Sequence, residues 1–163
     1  MVIDLRCHRR IGLGEYADVF AANDRAYKIF RNGPEVPPRR TKEGRRRVFD
    51  CQCKAFQLAA VDPFLVRHIA EFHGVQVIHD VLNEDGNSLQ SAYLLDCCYS
   101  VELFGSDDTE VKATDDTVRD HEHIEKARQR FREVGITTSD SSIFRYEDPD
   151  RFKFIDIEIT DCH

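Results

Sequence analysis

The chain has 163 residues, 41% of them hydrophobic and 33% charged, and it carries a formal net charge of −7. No apolar run approaches the roughly 18 to 20 residues that span a bilayer, and the N-terminal stretch MVIDLRCHRR lacks the apolar core of a signal peptide. We therefore expect one globular domain in a cytoplasmic, reducing compartment, without a membrane partner; export would require a secretion system that does not read a signal peptide.

The first part of the chain predicts three short strands followed by a helix. The strands are expected at Ile11–Leu13, Asp18–Ala22 and Ala26–Arg31, with an Asn-Asp turn between the last two. Apolar residues then recur at helical spacing over Glu43–Ala60. The Asp-Pro pair at residues 62–63 ends this helix, because the residue before proline disfavours helical dihedrals.

A basic segment joins the third strand to the helix. Residues 1–47 contain 12 Lys and Arg against 6 Asp and Glu, and this part ends in PPRRTKEGRRR, Pro37 to Arg47. One interpretation is a solvated loop and first helical turn; the other is a patch for an acidic partner or a phosphate-rich ligand. Because no aromatic residues interleave with these charges, we expect a protein partner rather than nucleic acid.

The rest of the chain predicts two strands, one long helix and a terminal hairpin. The strands are expected at Phe72–Leu82 and Leu89–Cys97, joined by the turn signal NEDGN. The helix fits Asp115–Val134 and is closed by Gly135. After a loop, the alternating sequence RFKFIDIEIT predicts a strand. The order is therefore βββαββ, a link, one helix and a short β-hairpin.

The cysteine spacing argues against a disulfide framework and against a zinc site. It consists of a C-x-C in a predicted helix, an adjacent pair in a predicted strand and single residues near both ends, which matches no paired zinc motif. We therefore expect reduced, partly buried thiols. The six residues are Cys7, Cys51, Cys53, Cys97, Cys98 and Cys162.

Two motifs near the N-terminus resemble those of protein kinases. The sequence GLGEYADV, Gly12 to Val19, is similar to the kinase loop G-x-G-x-x-G-x-V, with two of its three glycines. AYKIF then places Lys28 where the kinase motif V-A-I-K has its lysine. The resemblance implies that Gly12, Gly14 and Val19 contact ATP and that Lys28 neutralises its α- and β-phosphates.

Two later motifs resemble the kinase catalytic loop and metal-binding segment. GITTSD, which ends at Asp140, is similar to G-I-x-H-R-D, and FIDIE places Asp156 at the position of the D-F-G aspartate. The resemblance implies that Asp140 positions the acceptor hydroxyl and that Asp156 holds Mg²⁺. It also places Leu95 and Cys97 at the hinge that meets the adenine ring.

The fold implied by the resemblance is a single α+β, protein-kinase-like domain over residues 1–163. Residues 1–96 would form an N-terminal lobe with a five-stranded antiparallel sheet and one helix. Residues 97–163 would form a reduced C-terminal lobe with one long helix and a short β-hairpin. The chain ends seven residues after Asp156, so we expect the peptide-binding parts of larger kinases to be missing.

Several positions depart from the kinase pattern. The helix glutamate that pairs with the strand lysine falls at Gln52 or Cys53, and the second Mg²⁺ ligand falls at Arg145, whose guanidinium cannot bind a cation. The D-F-G glycine is Glu158. Without a helix glutamate, we expect Lys28 to pair with Asp156, because a partly buried ammonium needs a counter-charge.

Three functions stay open. The first is a minimal phosphotransferase that uses Mg·ATP, similar to the small atypical kinases among bacterial effectors, with Lys28, Asp140 and Asp156 as its working groups. The second is a catalytically inactive, pseudokinase-like binding module, which acts as an inhibitor, an immunity-type partner or a scaffold. The third is an unrelated α+β domain.

Overall fold

The computed structural model describes residues 1–33, 41–105, 109–112, 122–138, 142–145 and 152–162. These residues form an α+β fold with two α-helices and a five-stranded antiparallel sheet, as the sequence predicts at that level. The elements are β1 Val2–Asp4, β2 Arg9–Leu13, β3 Ala17–Ala22, β4 Arg25–Arg31, α1 Lys42–Val61, β5 Phe72–Val75, β6 Asp80–Leu82, β7 Tyr93–Glu102, β8 Thr109–Lys112, α2 Glu122–Glu133, β9 Ile136–Thr137, β10 Ser142–Arg145, β11 Phe152–Phe154 and β12 Glu158–Ile159.

The chain divides into two compact units, which are described separately. The first contains Met1–Asp50 and His73–Leu103, and the second contains Cys51–Phe72 and Phe104–His163. The expected lobes, 1–96 and 97–163, stay a prediction.

The five-stranded sheet has the order β2-β3-β4-β7-β5. The β3–β4 hairpin closes through Asn23 and Asp24, whose φ angles are 48° and 58°. Asparagine and aspartate tolerate this left-handed conformation better than other side chains, and it matches the twist of a two-residue hairpin. The turn predicted at these two residues is therefore confirmed.

The fourth and fifth predicted strands need correction. The predicted strand Phe72–Leu82 is two separate strands, β5 and β6, and β6 pairs in parallel with β1, which the sequence analysis missed. The predicted strand Leu89–Cys97 runs instead from Tyr93 to Glu102. It extends further because it pairs with β4 along the whole of that strand, from Arg31 opposite Tyr93 to Arg25 opposite Glu102.

The side chains of β4 alternate between the two faces of the sheet in the first unit. Tyr27 and Ile29 point into a buried cluster that also contains Phe20 and Val81. Residues on the opposite face alternate with them, as expected for a strand. Phe30 lies on that face and meets the Phe49 ring of α1 at 5.7 Å, so the first half of α1 covers it.

Helix α1 occupies the predicted range within one residue at each end. It begins after Thr41, whose Oγ1 accepts a hydrogen bond from the Gly44 N–H at 3.0 Å and so caps an otherwise unpaired amide. It ends at Asp62, whose Oδ1 accepts the N–H groups of Phe64 and Leu65, both at 2.9 Å. The predicted end at the Asp-Pro pair is confirmed.

The second unit packs α2 against short strands through aromatic side chains. Phe131 of α2 meets Phe154 edge-on at 5.0 Å, and His68 stacks on Phe152 at 4.6 Å. The predicted helix Asp115–Val134 is described from Glu122 to Glu133, and its first residues lie outside the described part of the chain. Gly135 follows with φ 78°, which confirms its predicted role as the residue that ends the helix.

The predicted terminal strand is wrong as a single element. Phe152–Phe154 pairs with β10, whereas Glu158–Ile159 pairs with β9, so the two ends of RFKFIDIEIT belong to different small sheets. The residues between them are not in a strand, and Asp156 is one of these. Part of the predicted loop is in fact β10, which also pairs with β8.

The expectation of six reduced thiols is wrong for one pair. Cys51 and Cys162 form a disulfide with Cα atoms 6.0 Å apart, although 111 positions separate them in sequence. The remaining cysteines are not in a disulfide: Cys7 is exposed, whereas Cys53, Cys97 and Cys98 are buried. The spacing did not reveal the pair because the fold, not the sequence, brings its two members together.

No helix within the described residues is long and apolar enough to cross a membrane.

Candidate functional site

The glycine motif forms a tight β-hairpin turn between β2 and β3. Gly12 lies opposite Val19, and a Cβ atom on Gly12 would stand 3.3 Å from the Val19 Cβ. A Cβ atom on Gly14 would stand 3.1 Å from the Ala17 carbonyl oxygen. The Gly14 N–H donates to that same oxygen at 2.9 Å. A side chain at either glycine would therefore crowd its neighbour.

A buried aspartate next to this turn ties it to the neighbouring strands. Asp18 is 2% exposed, and its Oδ2 accepts a hydrogen bond from the Tyr93 hydroxyl at 2.6 Å. Its Oδ1 lies 3.3 Å from Arg31 Nε, and the Arg31 guanidinium also donates to the Gly14 carbonyl oxygen. Arg10 is more distant, at 3.9 Å. The Arg31 side chain therefore links the turn to the buried charge.

Burial raises the pKa of Tyr93 well above its ordinary value, and the hydrogen bond to Asp18 raises it further. The phenol therefore keeps its proton and donates it to Asp18 Oδ2. The sequence analysis missed this cluster. Its only signal was an aspartate within the otherwise apolar strand sequence ADVFAA.

Lys28 lies in the middle of β4, on the face that α1 covers. Its Nζ stands 5.9 Å from the Phe30 ring centroid and 6.0 Å from the Tyr99 ring centroid. These distances allow weak cation–π attraction to both rings. Tyr99 also stacks on Phe49 of α1 at 6.3 Å. The predicted phosphate lysine is thus half-buried among aromatic rings.

Leu95 and Cys97, the predicted hinge residues, lie inside β7 rather than after it. Leu95 packs against the buried cluster of the first unit. Cys97 is 1% exposed, and burial raises the pKa of its thiol to about 11. The carbonyl oxygen of Cys98 accepts the Gln76 N–H at 2.9 Å. An adenine contact by Leu95 and Cys97 stays a prediction.

The predicted metal aspartate has an amide partner within the second unit. Gln52 Nε2 donates to Asp156 Oδ1 at 3.0 Å across a sequence separation of 104 residues. Gln52 is 5% exposed and Asp156 is half-buried. A hydrogen bond to a carboxylate fixes the orientation of that group. Gln52, one of the two helix residues at which the resemblance places the kinase glutamate, is therefore a donor to Asp156.

A second buried carboxylate anchors the start of the turn after α1. Asp62 is 8% exposed, and besides its two backbone donors it accepts Arg130 Nε at 2.9 Å. The backbone N–H of Leu65 is the main cause that holds the pKa of Asp62 below its ordinary value, and Arg130 lowers the pKa further. Both side-chain oxygens of Asp62 therefore accept hydrogen bonds within the second unit.

Two predicted positions lie beyond what the structure describes. Asp140, the predicted catalytic residue, is outside the described residues. Arg145 pairs through its backbone with Phe152, but its side chain is outside the described part. Lys28 belongs to the first unit and Asp156 to the second, so their pairing stays a prediction.

The binding of Mg²⁺ and ATP stays a prediction. Protein-bound Mg²⁺ needs oxygen ligands, and within the described ranges no three His, Cys, Asp or Glu residues are grouped so that they could hold a metal ion. The Gly14 N–H, which would face a phosphate, donates instead to Ala17.

Comparisons with models of protein families, with curated proteins and with solved structures found no match. The resemblance to protein kinases therefore rests on the residues of this sequence alone.

Proposed function

We propose that the chain is a kinase-fold protein that acts as a binding module for a protein partner and does not transfer phosphate. Such a module works as an inhibitor, an immunity-type partner or a scaffold. The observation that carries the proposal is the closed glycine turn, in which Gly14 is hydrogen-bonded through both its N–H and its carbonyl oxygen.

A phosphate cradle requires backbone N–H groups that point at the ligand. Freeing the Gly14 N–H would break its bond to Ala17, and opening the turn would also pull Arg31 away from Asp18. Asp18 is buried, so loss of its guanidinium neighbour would be costly. The turn is therefore stabilised in a form that does not bind phosphate.

An exposed apolar patch in the second unit offers a surface for a partner. It consists of Leu58, Val61 and Val66, which are 38%, 80% and 45% exposed, and we call it the 58–66 patch. Leu58 and Val61 are one helical turn apart on α1 and so share a face. The Val66 N–H donates to the Asp62 carbonyl oxygen in the turn that follows the helix. A contiguous exposed apolar surface is typical of protein-binding sites, and we infer such a surface from these three side chains.

The second candidate function is phosphoryl transfer from Mg·ATP. Two observations favour it: Lys28 lies on the helix-covered face of its sheet, and the Gln52 amide holds Asp156 in one orientation. An oriented carboxylate is a better metal ligand than a free one. Asp140 would then position the acceptor hydroxyl of a protein substrate.

Thermal unfolding with and without Mg·ATP separates the two candidates. A ligand at 100 times its Kd adds about 2.7 kcal/mol of stability. For a chain of this size that corresponds to a rise in Tm of about 5 to 11 °C. We expect no rise at millimolar Mg·ATP. A rise that is lost in both Lys28→Ala and Asp156→Asn would replace our proposal with the phosphotransferase.

Paired surface variants test the binding module directly. Val61→Asp places a charge in the 58–66 patch, and Val77→Asp places one at a valine of the first unit that is 70% exposed. A partner that co-purifies with the wild type should be lost with Val61→Asp and kept with Val77→Asp and Asp156→Asn. Retention of the partner by Val61→Asp would contradict the assignment of this patch.

A further inference from the structure

The segment Asp156–Cys162, here called the terminal segment, is tied twice to one turn of α1. Its Cys162 forms the disulfide with Cys51, and its Asp156 accepts the hydrogen bond from the next helix residue, Gln52. The covalent and the polar tie therefore start from adjacent helix positions. Strand β12 lies between Asp156 and Cys162 in the sequence.

The backbone pairing described for the terminal segment involves few residues. Strand β12 has two residues, which pair with the two residues of β9. Beyond it, the Thr160 N–H donates to the Gly135 carbonyl oxygen at 2.9 Å, and Ile157 is buried. A two-residue strand with so few backbone bonds opens easily unless something else holds it. The disulfide is the strongest of these ties because it is covalent.

We propose that the Cys51–Cys162 disulfide is a thiol-reducible clasp that controls the order of the terminal segment and, through it, the position of Asp156. In the oxidised protein the segment is held against α1. In the reduced protein it is released, and Asp156 loses its fixed orientation toward Gln52. The proposal does not depend on whether the protein binds a partner or transfers phosphate.

The chemistry is a two-electron thiol–disulfide exchange. A thiolate of the glutathione type attacks the sulfur of Cys51, which is the more exposed of the two residues, and Cys162 leaves as a thiolate that takes up a proton. A second reductant thiolate then attacks the mixed disulfide and releases the Cys51 thiol. The protein gains two thiols, and two reductant thiols become one disulfide.

Thiol counting establishes whether the clasp forms and whether a biological reductant opens it. Purified protein, denatured without reductant and alkylated, should carry four adducts, one for each free cysteine, and all six cysteines should react after reduction. Native protein equilibrated with reduced glutathione should become mostly six-thiol protein. Six adducts before reduction, or a disulfide that resists glutathione and opens only to a phosphine, would overturn the proposal.

Hydrogen exchange followed by mass spectrometry tests the released segment. We expect amides of residues 158–162 to exchange at least about tenfold faster in reduced wild type and in Cys51→Ser/Cys162→Ser, whereas β11 keeps its protection. Cys53→Ser, which alters a buried free thiol of the same helix, is the matched control and should behave as oxidised wild type.

Two results would show instead that the disulfide is only a structural brace. One is equal exchange of residues 158–162 in oxidised and reduced wild type. The other is a uniform acceleration that includes β11 or that Cys53→Ser reproduces. Because reduction of the wild type needs no substitution, failure of the serine variant to fold would leave that comparison intact.

Discussion

Replacement of Asp18 by asparagine tests the cluster that closes the glycine turn. The substitution keeps the shape of the side chain but removes the charge that Arg31 and Tyr93 contact. Breaking a buried ion pair costs about 3 to 5 kcal/mol. Here the Arg31 and Arg10 side chains are 38% and 47% exposed, so water replaces part of the lost interaction. We therefore expect the free energy of unfolding to fall by about 2 kcal/mol.

Urea unfolding followed by circular dichroism measures this loss, since the chain has no tryptophan. Asp24→Asn is the matched control, because Asp24 is an exposed turn residue with φ 58° that asparagine also tolerates. The control should stay within about 0.5 kcal/mol of the wild type. Combining Asp18→Asn with Tyr93→Phe should cost less than the sum of the single changes.

An Asp18→Asn protein as stable as the Asp24→Asn control would refute this reasoning. So would strict additivity with Tyr93→Phe, because residues in one hydrogen-bonded network should be coupled.

Three further changes follow from described contacts. Burial lowers the pKa of His68 below its ordinary 6.5. The contribution of His68 to the free energy of unfolding is therefore complete above about pH 6.5 and declines as the pH falls through the lowered pKa. Between pH 8 and 5, the free energy of unfolding should decline less in His68→Phe than in the wild type. Arg45 is 6% exposed and donates to two backbone carbonyl oxygens. Arg45→Met should therefore lower the free energy of unfolding in urea by about 2 kcal/mol. Arg47 is exposed, and Arg47→Met should change this free energy by no more than about 0.5 kcal/mol. Gly12→Ala brings a methyl group against Val19 and should lower the free energy of unfolding by about 1 kcal/mol, a loss that Val19→Ala in the same protein should relieve.

Local features of the fold were predictable because their causes lie close together in sequence. The Asn-Asp turn follows from the tolerance of those residues for positive φ, and the end of α1 follows from the Asp-Pro pair. Helical spacing of apolar residues located α1 within one residue. Each of these depends on a few neighbouring positions.

Features that join distant parts of the chain were not predictable in this way. Pairing of β1 with β6 spans nearly 80 residues, and nothing in VID indicates a partner. The Cys51–Cys162 disulfide spans 111 residues. The split of RFKFIDIEIT into two strands depends on which neighbours β9 and β10 supply, not on its own alternation.

The candidate site also combines a feature that was predictable from the sequence with features that were not. The position of Lys28 within a strand followed from the strand predicted over Ala26–Arg31. The Gln52–Asp156 hydrogen bond and the Asp18 cluster did not, because each needs two distant side chains to meet in three dimensions. The basic segment illustrates the point as well: Arg45 is buried and hydrogen-bonded to backbone, which a run of three arginines does not reveal.

The central claim, that the glycine turn is closed to phosphate, is tested most directly at the Gly14 amide. In two-dimensional NMR spectra of ¹⁵N-labelled protein, we expect the Gly14 cross-peak to be protected from exchange and to stay in place through a titration with Mg·ATP at millimolar concentration. A saturable shift of the Gly14, Gly12 and Val19 cross-peaks, absent in Lys28→Ala, would contradict the account and identify the turn as a nucleotide site.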